Sequence, residues 1–199
     1  MSQEPLRILV IGAGVIGSVY ATRLQVAGSN VTLLARGQHA TDLRGSGLVL
    51  EDASTGQVST SHLQVIERLV PEDHYDLALV CVRLDQVAAI IPDLAANQQI
   101  PTLVFFLNNP TGTELLVEQL GPQRVVLGFP GVGGTREGTR VRYVLIRQQP
   151  TTLGEIDGQM TARLRRLSAM FEQAGFSTAI SRSMDNWLKT HAVFVSCIS

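Results

Sequence analysis

The 199-residue sequence predicts an α/β fold with a doubly wound, mostly parallel sheet. Three observations carry that expectation. Short apolar runs rich in branched side chains alternate with stretches of helical period, the pattern of buried parallel strands joined by crossover helices. A glycine-rich string stands between the first such run and the first helical stretch. Later in the chain the runs give way to strict polar–apolar alternation, which predicts antiparallel strands added at an edge of the sheet.

Residues 6–11 form the first predicted strand. Residues 15–27 carry Val15, Ile16, Val19, Tyr20 and Leu24 at helical spacing and stop at Gly28, a C-cap signal. Strands are predicted at 31–35, 77–82, 102–107 and 125–128, with helices at 86–96 and 112–120. Residues 47–50 and 57–60 flank the turn-rich 52–56 and predict a small antiparallel excursion. Gly133, Gly134 and Gly138 punctuate an expected loop, after which 139–146 and 151–156 alternate as the antiparallel edge strands. A helix at 160–174 is closed by Gly175, and a short strand follows at 177–180. The last helix covers 184–199 with Ser183 as candidate N-cap. This divides the chain into one α/β domain at 1–182 and, at 183–199, the start of a helix apolar on nearly every side, which is expected to have lost what it was meant to pack against.

Composition narrows the function. Hydrophobic residues make up 45%, and 16 Lys+Arg against 17 Asp+Glu leave a net charge of −1, so the chain is neither disordered nor equipped to neutralise a nucleic-acid backbone. The cluster Arg163, Arg165 and Arg166 reads as one solvated helix face. Cys81 and Cys197 lie in apolar runs and read as buried free thiols, while His39, His62, His74 and His191 show no metal spacing. The N-terminus does not read as a signal peptide, and no apolar stretch reaches the ~18–20 residues of a membrane span. The expectation is a cytoplasmic protein with no metal, nucleic-acid or membrane partner.

Gly12-Ala13-Gly14-Val15-Ile16-Gly17 is a G-x-G-x-x-G that follows a strand and opens a helix, the context a Rossmann-type dinucleotide site requires. Gly12 permits the tight turn, Gly14 lets backbone approach a pyrophosphate, and Gly17 lets the helix pack on the sheet. Val15 and Ile16 contribute the N–H groups of the helix start. The second strand ends Leu34-Ala35-Arg36, without the acid that would bond a ribose 2′-OH. Arg36 suits a 2′-phosphate instead, so the expected cofactor is NADP(H). The alternative is a solvent-exposed loop arginine. Arg83 and Asn108 end the third and fourth strands and would reach the same crevice; for Asn108 the alternative is a plain turn residue.

These residues resemble the ketopantoate reductase (2-dehydropantoate 2-reductase) family. The likeness comprises residues 8–17, Leu34-Ala35-Arg36 and Val80-Cys81-Val82-Arg83-Leu84-Asp85-Gln86. It continues with Leu107-Asn108-Asn109, Gly112-Thr113-Glu114, Gly128, Gly133-Gly134-Thr135 and Asn186-Trp187-Leu188-Lys189. The resemblance implies an NADPH-dependent reductase of a 2-oxo acid or related ketone, with 1–182 as its NADP-binding Rossmann-like domain and 183–199 as the start of the helix leading into an all-helical domain absent from this chain. It assigns Arg36 to the 2′-phosphate and puts Arg83 where the family commonly has a lysine near the cofactor. Asn108 would line the nicotinamide and substrate site, and Lys189 would be the general acid. The sequence departs from the family pattern at Val193 and Cys197, where asparagines usually follow the lysine, and at Leu107 and 129–134. Two other readings stay open: a non-catalytic NADP(H)-binding module or redox sensor, and an interaction protein using the terminal helix. From Ala192 to Ile198 six of seven residues are apolar, so that helix is expected to pack against a second copy in a homodimer.

Overall fold

A computed structural model describes residues 4–107 and 112–196. In chain order these form β1 (Arg7–Ile11), α1 (Val15–Val26), β2 (Asn30–Leu34), α2 (Gly37–Ser46), β3 (Leu48–Asp52), β4 (Val58–Ser61), β5 (Gln64–Ile66) and β6 (Leu77–Val80). There follow α3 (Leu84–Ala96), β7 (Leu103–Phe106), α4 (Glu114–Leu120), β8 (Val125–Phe129), β9 (Val132–Glu137), β10 (Arg140–Leu145), β11 (Thr151–Glu155), α5 (Ala162–Gln173), β12 (Thr178–Ile180) and α6 (Met184–Ser196).

Among the described residues, eight strands form one sheet in the order β12-β11-β8-β7-β6-β1-β2-β5. From β8 to β5 every neighbouring pair is parallel; β11 runs antiparallel to β8, and β12 runs parallel to β11. The unbroken apolar runs are explained by burial on both faces. Alternate residues of one strand enter different cores, as Ile8 and Val10 do on one side and Leu9 and Ile11 on the other. The first core contains Val19, Tyr20 and Leu24 of α1 with Leu164 and Phe171 of α5. The second contains Val87, Ile90 and Leu94 of α3, Leu116 of α4, and Met184 and Leu188 of α6. The strand order reverses between β1 and β6, which leaves a crevice at their carboxyl ends.

A second sheet, β4-β3-β10-β9, corrects two expectations. Residues 139–146 do not extend the edge of the main sheet; β10 pairs parallel with β3 and antiparallel with β9. The expected loop at 133–138 is largely strand β9. The physical reason lies in α1, whose residues 17–22 are all buried, polar Ser18 and Thr22 included. One sheet covers only one side of a helix. The second sheet covers the other, placing Leu48, Leu50, Val132, Val141 and Tyr143 in the core that holds α1. Alternation in β10 then makes sense, with Val141 and Tyr143 facing in and Arg140, Arg142 and Val144 facing water. The antiparallel strand expected at 151–156 is β11, and the excursion of β3 and β4 is antiparallel as expected.

Three further local differences follow from packing. The sequence pattern does not announce helix α2, which is largely polar, or strand β5, which is only three residues long. Arg163 is not solvated: it bonds Glu155, which is 5% exposed, through Nε at 2.9 Å and Nη2 at 2.5 Å. Its Nη1 also donates to the carbonyl of Gln123, which ties α5 to the sheet, while Arg165 and Arg166 are exposed. Of the two cysteines, Cys81 is free and only partly buried, and Cys197 lies outside the described residues. Helix α6 begins as expected, the carbonyl of Ser183 accepting the Trp187 N–H at 2.9 Å. The apolar side chains of 192–198 lie outside the description.

The seating of α1 yields a stability prediction. A Cβ on Gly17 would lie 1.9 Å from the Gly12 carbonyl oxygen and 3.3 Å from Cys81 Cβ. Alanine is favoured over glycine in a helix by about 1 kcal/mol. A clash with backbone cannot be relieved by a side-chain rotation, and overpacking of this kind is destabilising by roughly 1–3 kcal/mol or more. Gly17→Ala should therefore lower the urea midpoint with little change in m-value. A midpoint at or above wild type would show that α1 has room to shift.

Candidate active site

The crevice is a cavity of about 540 Å3. Its floor is Gly12, Ala13 and Gly14, which turn the chain from β1 into α1, with Ala35 beyond β2 and Cys81 and Val82 beyond β6. Gly12 has φ +104°, and a Cβ there would lie 2.8 Å from the Cys81 carbonyl oxygen. Gly14 is the opposite case. Its backbone is extended, and none of the described residues would come within 4 Å of a Cβ placed on it. The missing side chain opens onto the cavity. Helix α1 starts there with no side-chain cap and no acid in its first turn. The N–H groups at Val15, Ile16 and Gly17 and the positive end of the helix are thus left for an anion. The side chains of Val15 and Ile16 pack against the core, so these residues can contribute to a ligand through backbone only.

Charge on the walls is mostly positive. Arg36 precedes α2 and pairs at 3.7 Å with Asp93, the two side chains being 57% and 40% exposed. Arg83 precedes α3, its Nε donating to Asp85 at 3.0 Å and its backbone N–H to the Gln86 side chain at 3.2 Å. Exposed pairs of this kind contribute little to stability, which leaves both guanidinia available to a ligand. Although the Cys81 residue is partly exposed as a whole, desolvation of its thiol pushes the pKa well above the ordinary range, which disfavours the thiolate.

Two wall residues were missed in the sequence. His39 of α2 meets the Ala13 carbonyl through Nε2 at 3.1 Å. A carbonyl only accepts, so Nε2 donates there, and in the neutral imidazole this tautomer leaves Nδ1 as the acceptor. Arg136 of β9 faces Nδ1 through Nη1 at 3.5 Å and donates to the Gly138 carbonyl at 2.9 Å. The available signal for α2 was Ala40 and Leu43 at helical spacing before Gly47. For Arg136 there was none, since the glycines of β9 read as a loop.

Lys189 does not line this cavity. It stands on α6 with Nζ donating to Asp185 Oδ2 at 2.7 Å. That hydrogen bond raises its pKa above the usual lysine value, with Glu114 adding to the effect. The other Asp185 oxygen is buried without a hydrogen-bond partner among the described residues. Phe129 closes β8 against Trp187 and His191, with ring centroids 5.2 and 4.3 Å away, so α6 sits at the carboxyl end of that strand. Partial burial lowers the His191 pKa. The structure therefore brings Gly12, Gly14, Arg36 and Arg83 to one cavity, with Gly17 packed against the Gly12 carbonyl, and Lys189 is not among the lining residues. Asn108 lies outside the described residues. Among the described residues no group of His, Cys, Asp or Glu is placed to hold a metal, and no helix is long and apolar enough to cross a membrane.

Comparison with known proteins agrees with this architecture. The family model described as ketopantoate reductase PanE/ApbA matches residues 8–158. A 2-dehydropantoate 2-reductase of Mesorhizobium japonicum is 26% identical over 208 residues, covering 92% of this chain and 63% of that protein. Another from Pyrococcus horikoshii is 25% identical, covering 98% and 62% respectively. The crystal structure of 2-dehydropantoate 2-reductase from Geobacter metallireducens superposes with a TM-score of 0.76 at 25% identity, covering 89% of this chain and 58% of that one. A D-mandelate dehydrogenase solved with NADH and anilino(oxo)acetate shares the fold, with a TM-score of 0.76 at 18% identity. The chain spans about three-fifths of the length of these relatives. With the crevice, its glycine turn and most of the chain all accounted for by one family model, the protein belongs to the ketopantoate reductase PanE/ApbA family of oxidoreductases.

Proposed function

We propose that the protein reduces a small 2-oxo acid or a related ketone, using NADPH. The observation that carries this reading is the pairing of an open slot at Gly14 with arginine instead of an acid after β2. The residues fit the cofactor. The α1 N-terminus and Gly14 would hold the pyrophosphate, Arg36 the 2′-phosphate, and Arg83 a phosphate or ribose. When bound, the reduced nicotinamide supplies the hydride for the carbonyl carbon. The charge that develops on the carbonyl oxygen needs a cation and then a proton. Lys189, kept as an ammonium by Asp185, provides both, and Asn108 orients the substrate beside it. The product is the 2-hydroxy acid or alcohol. A second reading, a non-catalytic NADP(H)-binding module, is favoured by the position of Lys189 outside the cavity. Turnover of NADPH with a panel of 2-oxo acids by the protein from the full reading frame separates the two.

Three substitutions test the assignments. Gly14→Val should fold normally, because its extended backbone suits any residue and its Cβ meets nothing, yet it should abolish dinucleotide binding by filling the slot. Tight NADPH binding by the folded variant would move the cofactor elsewhere. Arg36→Ala should weaken NADPH by about ten- to a hundredfold while sparing NADH, the scale of one charge-assisted hydrogen bond. Equal weakening of both, read by fluorescence titration, would remove Arg36 from the role. Lys189→Ala should lower turnover by roughly a hundredfold or more with NADPH affinity unchanged. Surviving turnover would make Lys189 structural.

A further inference from the structure

Arg136 is a cavity arginine without an acid. Arg36 leans on Asp93 and Arg83 on Asp85, whereas Arg136 makes no ion pair among the described residues. Its anchors are neutral: the Gly138 carbonyl and His39 Nδ1, both met by Nη1. The Nε and Nη2 groups have no hydrogen bond among the described residues, so the outer part of the fork is available. His39 is itself pinned to the Ala13 carbonyl in the glycine turn. It follows Arg36 by three residues, about one turn along α2, and Arg36, His39 and Arg136 all line the cavity.

A 2′-phosphate carries a charge of about −1.5 to −2 at neutral pH and offers three acceptor oxygens. One guanidinium that also serves Asp93 cannot neutralise it. We infer that Arg136 is a second guanidinium for the 2′-phosphate of NADPH, set in place by His39 as a positioning residue. Cofactor preference would then be decided by β9 as well as by the residue after β2. This rests on the NADPH reading given above. It also gives the second sheet a part in binding: besides covering α1, it adds a cation to the two that follow strands of the main sheet.

Binding titrations test it without reference to turnover. Wild type, Arg136→Ala, Arg136→Lys and His39→Ala are titrated with NADPH, NADH, 2′,5′-ADP and 5′-AMP. Arg136→Ala should lose about ten- to a hundredfold in affinity for NADPH and for 2′,5′-ADP, with NADH and 5′-AMP changed by about twofold or less. Arg136→Lys should retain part of the preference, as a point charge without the fork. His39→Ala should reduce the NADPH-to-NADH preference by a smaller factor. Arg136 is exposed, so its variants should keep the wild-type unfolding temperature. If Arg136→Ala weakens NADPH and NADH alike, Arg136 serves the pyrophosphate or the fold, and the inference is overturned. If it preserves the preference while Arg36→Ala destroys it, the inference fails and the NADPH reading stands. A wild type that does not prefer NADPH to NADH would sink both.

Discussion

The close approach of α1 to the strand ends at Gly12 and Gly17 is the constraint on which the rest of the structure depends. No Cβ fits at Gly17, and the Gly12 carbonyl occupies the space one would need. Seated this low, α1 presents its N-terminus at the crevice between β1 and β6 and buries Tyr20 beneath the sheet. The Tyr20 hydroxyl meets Thr151 Oγ1 at 2.6 Å, and its ring stacks on Phe176 at 4.1 Å. Burial raises the Tyr20 pKa far above the phenol range, so it remains a neutral hydrogen-bonding peg. Through that one side chain the helix that would bind the cofactor is tied to β11 and to the segment after α5.

A helix seated so deeply has no side left for water, and this accounts for the second sheet. Burial of Ser18 and Thr22 along with their apolar neighbours requires cover on the side away from the main sheet. β3, β9 and β10 give it, and Glu51 of β3 holds Arg140 and Arg142 of β10 at 2.9 and 3.2 Å. Those pairs are half-exposed and add little stability; the apolar contacts of Val141 and Tyr143 do more. The site benefits as a consequence. A chain with net charge −1 concentrates three arginines around one cavity, which focuses positive potential where an anion would enter.

The legible part of the fold was the part encoded locally. Branched apolar runs marked β1 and β2, the first ending in glycine, and the glycine string marked the turn into α1, because each signal sits within a dozen residues. The pairing of β10 with β3 was not legible, since it joins segments far apart in sequence and depends on a helix surface between them. β9 was read as a loop because Gly133 and Gly134 weaken strand propensity, and only its pairing along β10 overrides that. The same limit applies to the site. Arg36 and Arg83 were found because they end strands of the main sheet. Arg136 was missed because it reaches the cavity from the sheet that was not foreseen. Arg163 departs from the solvated face its spacing predicts because its partner, Glu155, is buried on another element.

The two cations that matter most for the proposed chemistry are held in the same way. Lys189 gives one N–H to Asp185 from one turn earlier on α6, and Arg136 gives one nitrogen to Gly138 and His39. An ammonium has three N–H groups and a guanidinium five, so each anchor leaves donors over. An anchor limits the entropy lost when a long side chain is fixed on a ligand, while the unused donors keep the bonding capacity that binding or proton transfer requires. For Lys189 the anchor is a carboxylate, which also raises its pKa. Below the ordinary lysine value the group is fully charged, and the charge is lost only as pH rises through the higher folded value. At neutral pH the proton is therefore present before any substrate arrives. What Asp185 cannot supply is the drive to release it, and a carbonyl oxygen gaining full negative charge is a far stronger base than the carboxylate that holds the lysine in waiting.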